Sequence, residues 1–425
     1  MTNHFISLVA QLAQRSISPS EFTRVLVQMG FGAVTIQSVL DSVTPAKSSS
    51  RFEPFSPQTP YEQWMSREGV PIHTGYSIAD VRALEVTPWA RMGAKGAFID
   101  LEGSEGTDGA YLCQIEPGNS TQALKFLFEE AIFVLDGEGE SAIWHEGGEK
   151  QTIRWKKGAM FSPPLNVWRQ HFNRGSGPAR LVSFHDLPVV MDLFHSADFV
   201  FNNPFVFRDR YNNEPDYFEL NESKMIGRGS AAMFNEAERA APKKRTIASG
   251  LVPDVNQLEL HAAPSRGLKN KGVEMVFSDN TIQTHISEFA TGSYKRAHRH
   301  GPGSQIIILG GEGYSLLWND HPRYSDAAKH MRVDWKEGSM FVPPDRWFHQ
   351  HFNGGEAPAR YMATTWIGGK YFAKSLGGGG RTHRLNTIST KDGGNMVDYP
   401  DEDPIVREMF EGELSKRGLK SQMPR

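Results

Sequence analysis

His298-Arg299-His300 is the segment of this chain best equipped for chemistry. In an extended strand residues i and i+2 point to the same face, so both imidazoles can look into one interior. A second pair at the same spacing, His349 and His351, lies on a different segment and can add a third imidazole. Neutral imidazole suits Fe, Ni, Cu or Zn, and also accepts Mn. A lone histidine is usually structural; three converging from two strands point to a divalent metal. Other groups lie within reach in sequence. Gln305 can hold an oxygen ligand by a hydrogen bond. Arg346 can pair with a carboxylate. His351, one strand step from His349, is the candidate general base. Arg299 alternates with the two histidines and should point outwards, while Trp347 and Phe348 read as core aromatics. His321 and His330 read as surface residues, and His285 falls on an earlier strand outside this pattern.

An internal repeat frames these residues. IRWKKGAMFSPPLNVWRQHFNRGSGPARL (153–181) matches VDWKEGSMFVPPDRWFHQHFNGGEAPARY (333–361) without a gap, and LDGEGESAIW (135–144) matches LGGEGYSLLW (309–318). The offset is 174 residues upstream and 180 downstream, so the second copy carries six extra residues between its two blocks.

Each copy resembles the two-motif pattern of the cupin superfamily. The first motif has a glycine, His-x-His and a Glu a few residues on; the second has Gly, Pro, His and, four positions later, Asn. In this chain the second copy carries them as Gly292, His298 and His300, then Gly338, Pro344, His349 and Asn353. The resemblance covers roughly 90–195 and 246–368. It implies a mainly β chain of two tandem jelly-roll barrels, a bicupin, with the site inside a barrel. It also implies His349 as the third ligand, since His349 alone meets the His-x-x-x-Asn spacing. His171, equivalent to His351, persists in the first copy, which suggests a supporting role for that position. Two departures matter. The usual Glu is absent from the second copy, where Ser304 or Gln305 stands in its place. The first copy has Leu124, Phe126 and Arg169 where the second has His298, His300 and His349; Glu130 and His171 remain, and an ion pair is expected there instead of a metal.

A three-histidine set leaves coordination positions open and keeps the full charge of the ion, which favours an anionic, oxygen-bearing substrate. The set is similar to that of cupin dioxygenases of the gentisate dioxygenase type, although theirs sits in the first barrel. The expectation is therefore a non-haem Fe(II) dioxygenase acting on a small oxygenated aromatic or organic acid, with O2 as co-substrate and Mn, Ni, Cu or Zn as alternative metals. A redox-neutral lyase, isomerase or decarboxylase is the second reading. A binding or storage bicupin is the third, and the retained histidines count against it.

The elements that must position these residues are legible in the pattern of the chain. Short apolar runs broken by Gly, Asn, Asp and Pro, such as AIFVLDGEGESAIW, read as antiparallel strands. Residues 1–60 read as a helical arm and linker: Ser18-Pro19-Ser20-Glu21 starts a helix, Phe22, Val25, Leu26 and Met29 share a face, and Gly30 ends it. Residues 196–245 read as an irregular linker between barrels. Residues 377–425 read as a Gly-rich break and a helix started by Asp403-Pro404. The net charge of -3, without long basic runs, offers no footprint for nucleic acid or an anionic membrane. One cysteine, Cys113, excludes a disulfide framework and a multi-cysteine zinc site. A cytoplasmic location is the expectation, as is a homo-oligomer with the arm and tail as subunit contacts.

Overall fold

A computed structural model describes residues 2–13, 16–31, 36, 39–40, 57–104, 106–220, 246–301, 303–366, 385 and 388–424. Residues 1–57 form one compact unit and residues 58–425 another. In the first, helices span Thr2–Ala13 and Pro19–Gln28. The Ser18 hydroxyl accepts a hydrogen bond from the Glu21 N–H at 3.1 Å, and Gly30 takes the left-handed φ of +87° that lets the chain leave the helix. Phe22 and Leu26 are buried with Leu8, Leu12 and Ile36, and Val25 and Met29 pack beside them. The linker expected at the end of residues 1–60 falls mainly outside the described residues. So do residues 221–245 and the Gly377–Gly380 break.

The second unit is mainly β. One large sheet runs in the order Ile72–His73, Ala94–Ile99, Gly109–Ile115, Ala179–His185, Glu130–Asp136, Met160–Phe161, Leu251–Val252, with Thr87–Trp89 paired to Ala94–Ile99. A three-stranded sheet, Trp168–Asn173, Glu138–Trp144, Gln151–Lys156, packs against it across a shared core. The second half repeats this arrangement. Its large sheet is Thr246–Ser249, Lys271–Phe277, Gln283–Phe289, Ala359–Thr365, Gln305–Gly310, Met340–Phe341, Ser77–Ile78, with His261–Ala262 on Lys271–Phe277. Its small sheet is His330–Lys336, Glu312–Trp318, Phe348–Asn353. The mainly β, two-body architecture is the one that the motif resemblance implied. The first large sheet includes two strands ahead of residue 90, Ile72–His73 and Thr87–Trp89, which at two and three residues carry little periodic signal.

The two bodies exchange an edge. Ser77–Ile78 pairs with Phe341 and Met340 of the second sheet, and Leu251–Val252 pairs with Phe161 and Met160 of the first. The large sheets also meet face to face. Along Gly109–Ile115 every residue is buried, because Tyr111, Cys113 and Ile115 face the interior of the first barrel while Ala110 and Leu112 face an apolar layer shared with Met275, Ile286, Ile307 and Met362. A strand covered on both faces reads as a continuous apolar run instead of an alternation. The segment after the first barrel is more ordered than its composition suggested: a helix spans Ala197–Asn202, and Val200 and Tyr211 sit fully buried in the first core. The C-terminal helix, Pro404–Lys416, is capped by Asp403 and buries Val406, Phe410 and Leu414 against Tyr294, Tyr314 and Phe352. Among the described residues no helix is long and apolar enough to cross a membrane.

Candidate metal centre

His298 and His349 lie directly opposite each other. Each backbone N–H bonds the other's carbonyl, at 3.2 and 2.8 Å, so cross-strand pairing alone sets their imidazoles side by side with ring centroids 4.4 Å apart. His300, two residues on, brings its ring to 4.8 Å from His349 and 5.6 Å from His298. One ring nitrogen from each of the three lies within 4.8 Å of the others. The tautomers are fixed for two of them. Nδ1 of His298 donates to the Arg296 carbonyl at 3.0 Å and Nδ1 of His349 to the Trp347 carbonyl at 3.1 Å. Carbonyls only accept, so the lone pair must reside on Nε2, which is how a metal-binding imidazole is ordinarily oriented. Burial, reinforced by His349 and Arg266, holds the His298 pKa well below the usual value; burial first, with Arg266 and Lys295 opposing the charge, brings His349 to about 3. Both imidazoles are thus neutral and able to ligate at pH 7. The donor set fits a divalent ion.

His351 also lines the cavity, but its Nδ1 is engaged by the Ser315 hydroxyl at 2.7 Å, and Ser315 Oγ accepts from Trp335 Nε1 at 2.9 Å. The same triad stands in the first barrel: His171 Nδ1 to Ser141 Oγ at 2.7 Å, and Trp155 Nε1 to Ser141 Oγ at 2.8 Å. The motif asparagines are likewise shared. Asn353 donates to the Ala357 carbonyl at 2.9 Å and accepts from the Gly355 N–H at 3.0 Å; Asn173 does the same with Gly177 at 2.8 Å and Gly175 at 2.9 Å. Gln305 is fully buried and points away from the cavity, its Nε2 3.4 Å from the Asp108 carbonyl of the first barrel. Ser304, the counterpart of Glu130 in the first barrel, is the residue that faces the cavity, and its hydroxyl bonds Thr365. Arg346 is placed at the surface, its side chain 70% exposed and 3.7 Å from Asp345. Position 346 has a left-handed φ of +59° in the turn before the strand, as its first-barrel counterpart Asn166 has at +55°. Arg299 points outwards as expected, its Nε donating to Asn395 Oδ1 at 3.1 Å.

The first barrel answers the same question differently. Leu124 and Arg169 take the cross-strand places of His298 and His349. Arg169 Nη1 lies 2.7 Å from Glu130 Oε1, both side chains almost wholly buried, and the guanidinium sits 3.8 Å over the Phe126 ring. Tyr111 and Ser183 donate to the other Glu130 oxygen at 2.7 and 2.6 Å. Burial alone would raise the Glu130 pKa; the Arg169 charge and these hydroxyls overcome it and hold the carboxyl below its usual value. The expected ion pair is present, with Arg169 at the cross-strand place that His349 takes in the second barrel.

Around the histidines of the second barrel lies a cavity of about 70 Å³. Its walls carry Arg266, Glu274, Gln283, His285, Lys295 and Tyr361, none of which the sequence reading singled out as site residues. Lys295 is buried, and its Nζ donates to Ser287 Oγ at 2.9 Å and to the Tyr361 hydroxyl at 2.5 Å. The signal that could have found these residues is the repeat itself. Strand register equates Glu274 with Phe98, His285 with Tyr111, Ser287 with Cys113 and Tyr361 with Leu181. The hydrogen bond from Arg296 N to Arg266 O matches that from Gln122 N to Met92 O, and so equates Arg266 with Met92. Most of these first-barrel counterparts are core residues.

No family model matches the chain, and no curated protein sequence matches it. Solved structures do. Lactobacillus farciminis oxalate decarboxylase, in its formate complex, aligns at a TM-score of 0.43 and 13% identity over 69% of this chain and 87% of that one. A variant of Bacillus subtilis oxalate decarboxylase aligns at 0.42 and 11% identity over 69% and 77%. Both are likenesses of fold at low identity.

Proposed function

We propose that the chain is a metal-dependent bicupin enzyme whose second barrel is the working one and whose first is scaffold. The observation that carries this is the gathering of His298, His300 and His349 around a buried cavity, with Nδ1 of His298 and His349 committed to backbone carbonyls and Nε2 left to ligate. A divalent ion held there supplies Lewis acidity and open coordination positions for substrate oxygens and, if it is Fe(II), for O2. The protein's own part is to exclude bulk water, to keep the imidazoles neutral by burial, and to hold the substrate with the polar wall. His351 supports the fold through Ser315 and Trp335, as His171 does through Ser141 and Trp155.

The finer reading is a non-haem Fe(II) dioxygenase acting on a small oxygenated aromatic or organic acid. Ligands that are all neutral favour it, because the ion then attracts an anionic oxygen pair. A redox-neutral lyase, isomerase or decarboxylase is the second reading, favoured by the Lys295–Tyr361 hydrogen bond at the cavity wall, which could move a proton without an oxidant. Elemental analysis of protein from its native host, followed by substrate-dependent O2 uptake with Fe(II)-loaded protein against aromatic acids and diketones, separates them. Turnover without O2 consumption selects the second. Absence of bound divalent metal, together with a His298→Ala variant indistinguishable from wild type, would overturn both.

A further inference from the structure

Lys295 stands where the first barrel has Thr121. The backbone does the same work at both positions: the Lys295 N–H donates to the His351 carbonyl at 3.0 Å, and the Thr121 N–H to the His171 carbonyl at 2.9 Å. A short hydroxyl side chain serves in the first barrel, so closing the fold does not require an amine here. The amine also comes with its own partners. Its Nζ donates to Ser287 Oγ at 2.9 Å and to the Tyr361 hydroxyl at 2.5 Å. The strand register puts Cys113 and Leu181, both core residues, at those two places in the first barrel. Amine, serine and tyrosine thus occur together in the second barrel, and all three are missing from the first.

These hydrogen bonds leave one position on the nitrogen open. Ser287 Oγ gives its own hydrogen to Asn270 Oδ1 at 3.0 Å, so it accepts from Lys295. With the Tyr361 hydroxyl as second acceptor, two N–H groups are used. What is left is a third N–H if the group is an ammonium, or a lone pair if it is an amine. Apart from the Tyr361 ring, whose centroid lies 4.7 Å from Nζ, that position has no partner among the described residues, and none of their carboxylates forms an ion pair with Lys295. The side chain is 3% exposed and lines the cavity that holds His298, His300 and His349. Burying an unpaired charge is far costlier than burying a neutral amine, and burial draws this amine well below its ordinary pKa. A desolvated amine at a cavity wall is a nucleophile, and a carbonyl carbon is what lysine amines attack.

We propose that Lys295 is a covalent catalytic residue of the second barrel that forms an imine with a small aldehyde or ketone, with the Tyr361 hydroxyl beside it as acid and base. Nζ adds to the carbonyl carbon. Its two hydrogens pass in turn to the carbonyl oxygen, relayed by the Tyr361 hydroxyl. The C–O bond then breaks, water departs and a C=N bond is left; no oxidant or reductant takes part. This rests on the reading of the second barrel as the working one and goes with its redox-neutral form. It makes a separate demand, a covalent bond between substrate and protein that forms with or without metal.

The test is reductive trapping. The full chain, metal-free and Zn(II)-loaded, is incubated at pH 7 with acetaldehyde and cyanoborohydride, which reduces an imine to a stable N-ethyl group, and the labelled lysines are mapped by mass spectrometry. A lysine of ordinary pKa ~10.4 is under about one part in a thousand free amine at this pH. Lys295 should therefore be ethylated about 10-fold or more ahead of exposed lysines such as Lys329, even through a narrower approach. A buried lysine with a structural role alone would react last. Tyr361→Phe, which keeps the ring, should slow labelling of Lys295 at least about 10-fold, with Zn(II) stoichiometry at that of wild type as the check that the variant has folded. Lys295 labelled no faster than Lys329 in wild type refutes the imine site and leaves the metal centre standing. Lys295 labelled first in protein that takes up no Zn(II) sustains the imine site and removes the metal reading. Labelling of Tyr361→Phe at the wild-type rate refutes the acid–base role of Tyr361.

Discussion

Removing Arg169 should unmask the charge that the first barrel has buried. Arg169 and Glu130 have side chains 3% and 1% exposed and meet at 2.7 Å. Replacing Arg169 by Met leaves Glu130 with only the Tyr111 and Ser183 hydroxyls, at 2.7 and 2.6 Å, and no cation. Breaking a buried pair from one side costs about 3–5 kcal/mol, because the remaining ion has lost its compensation. The hydroxyls keep Glu130 partly satisfied, so the lower half of that range, about 3 kcal/mol at pH 7, is the expectation. Removing both charges in Glu130→Gln with Arg169→Met should recover most of it, since an uncharged replacement of a buried pair is often near neutral. The pH dependence has a definite sign. In wild type the Glu130 carboxyl is held below its usual value, so its contribution is present above the unfolded carboxyl pKa of ~4.3 and is lost as pH falls through the folded one. In Arg169→Met the folded pKa is raised by burial, so the penalty grows as pH rises above ~4.3 and vanishes below it. The two stability curves should therefore converge in acid. Urea unfolding by linear extrapolation at pH 7 and pH 4 measures this. A loss under about 1 kcal/mol at pH 7, or a double variant as unstable as Arg169→Met alone, would refute the view that Arg169 compensates the buried Glu130 charge.

His171→Ala and His351→Ala should each cost about 1–3 kcal/mol, because each strands a buried Ser–Trp pair; loss of Zn(II) binding in His351→Ala without loss of folding would remove His349 as the third ligand. His171 and His185 are held at about 4, by burial first in both, so the unfolded chain takes up their protons first and stability should fall as pH drops from ~6.5 towards 4, by about 3 kcal/mol per histidine at the limit; a flat metal-free stability profile across that window would contradict their burial as neutral rings. Zn(II) at ~100 times its Kd should stabilise the protein by about 2.7 kcal/mol, an effect that His298→Leu abolishes, read as a shift of the urea midpoint. Met396 bridges His298, with Val397 N donating to the Ala297 carbonyl at 2.8 Å and Arg299 N to the Asn395 carbonyl at 3.0 Å. Val397→Pro, which removes one of those donors, should weaken Zn(II) about 5- to 10-fold; unchanged affinity would mean that this tail segment does not position the ligand strand.

The amino-acid sequence by itself determined the architecture and the three histidines that gather in the second barrel. Two gapless blocks of similarity, His-x-His at strand spacing and His349 four residues before Asn353 lie in short contiguous stretches, where local order alone carries the pattern. The ion pair of Arg169 with Glu130 was legible for the same reason, as a substitution inside a recognisable block. What only the tertiary structure decided is direction. Whether Ser304 or Gln305 faces the cavity depends on strand phase, and phase is set by pairing with Ala359–Thr365, where Gln305 lies opposite Thr364. Arg346, between Pro344 and His349 of the second motif, lies at the surface, whereas its first-barrel counterpart Asn166 is buried. The opposing wall of Arg266, Lys295, His285 and Tyr361 comes from four separate segments, brought together by pairings between residues far apart in the chain. No local periodicity marks such a wall, because a buried polar residue interrupts the apolar pattern just as a turn residue does. The barrel has to close before it can be told that the interruption faces inward, beside the histidines.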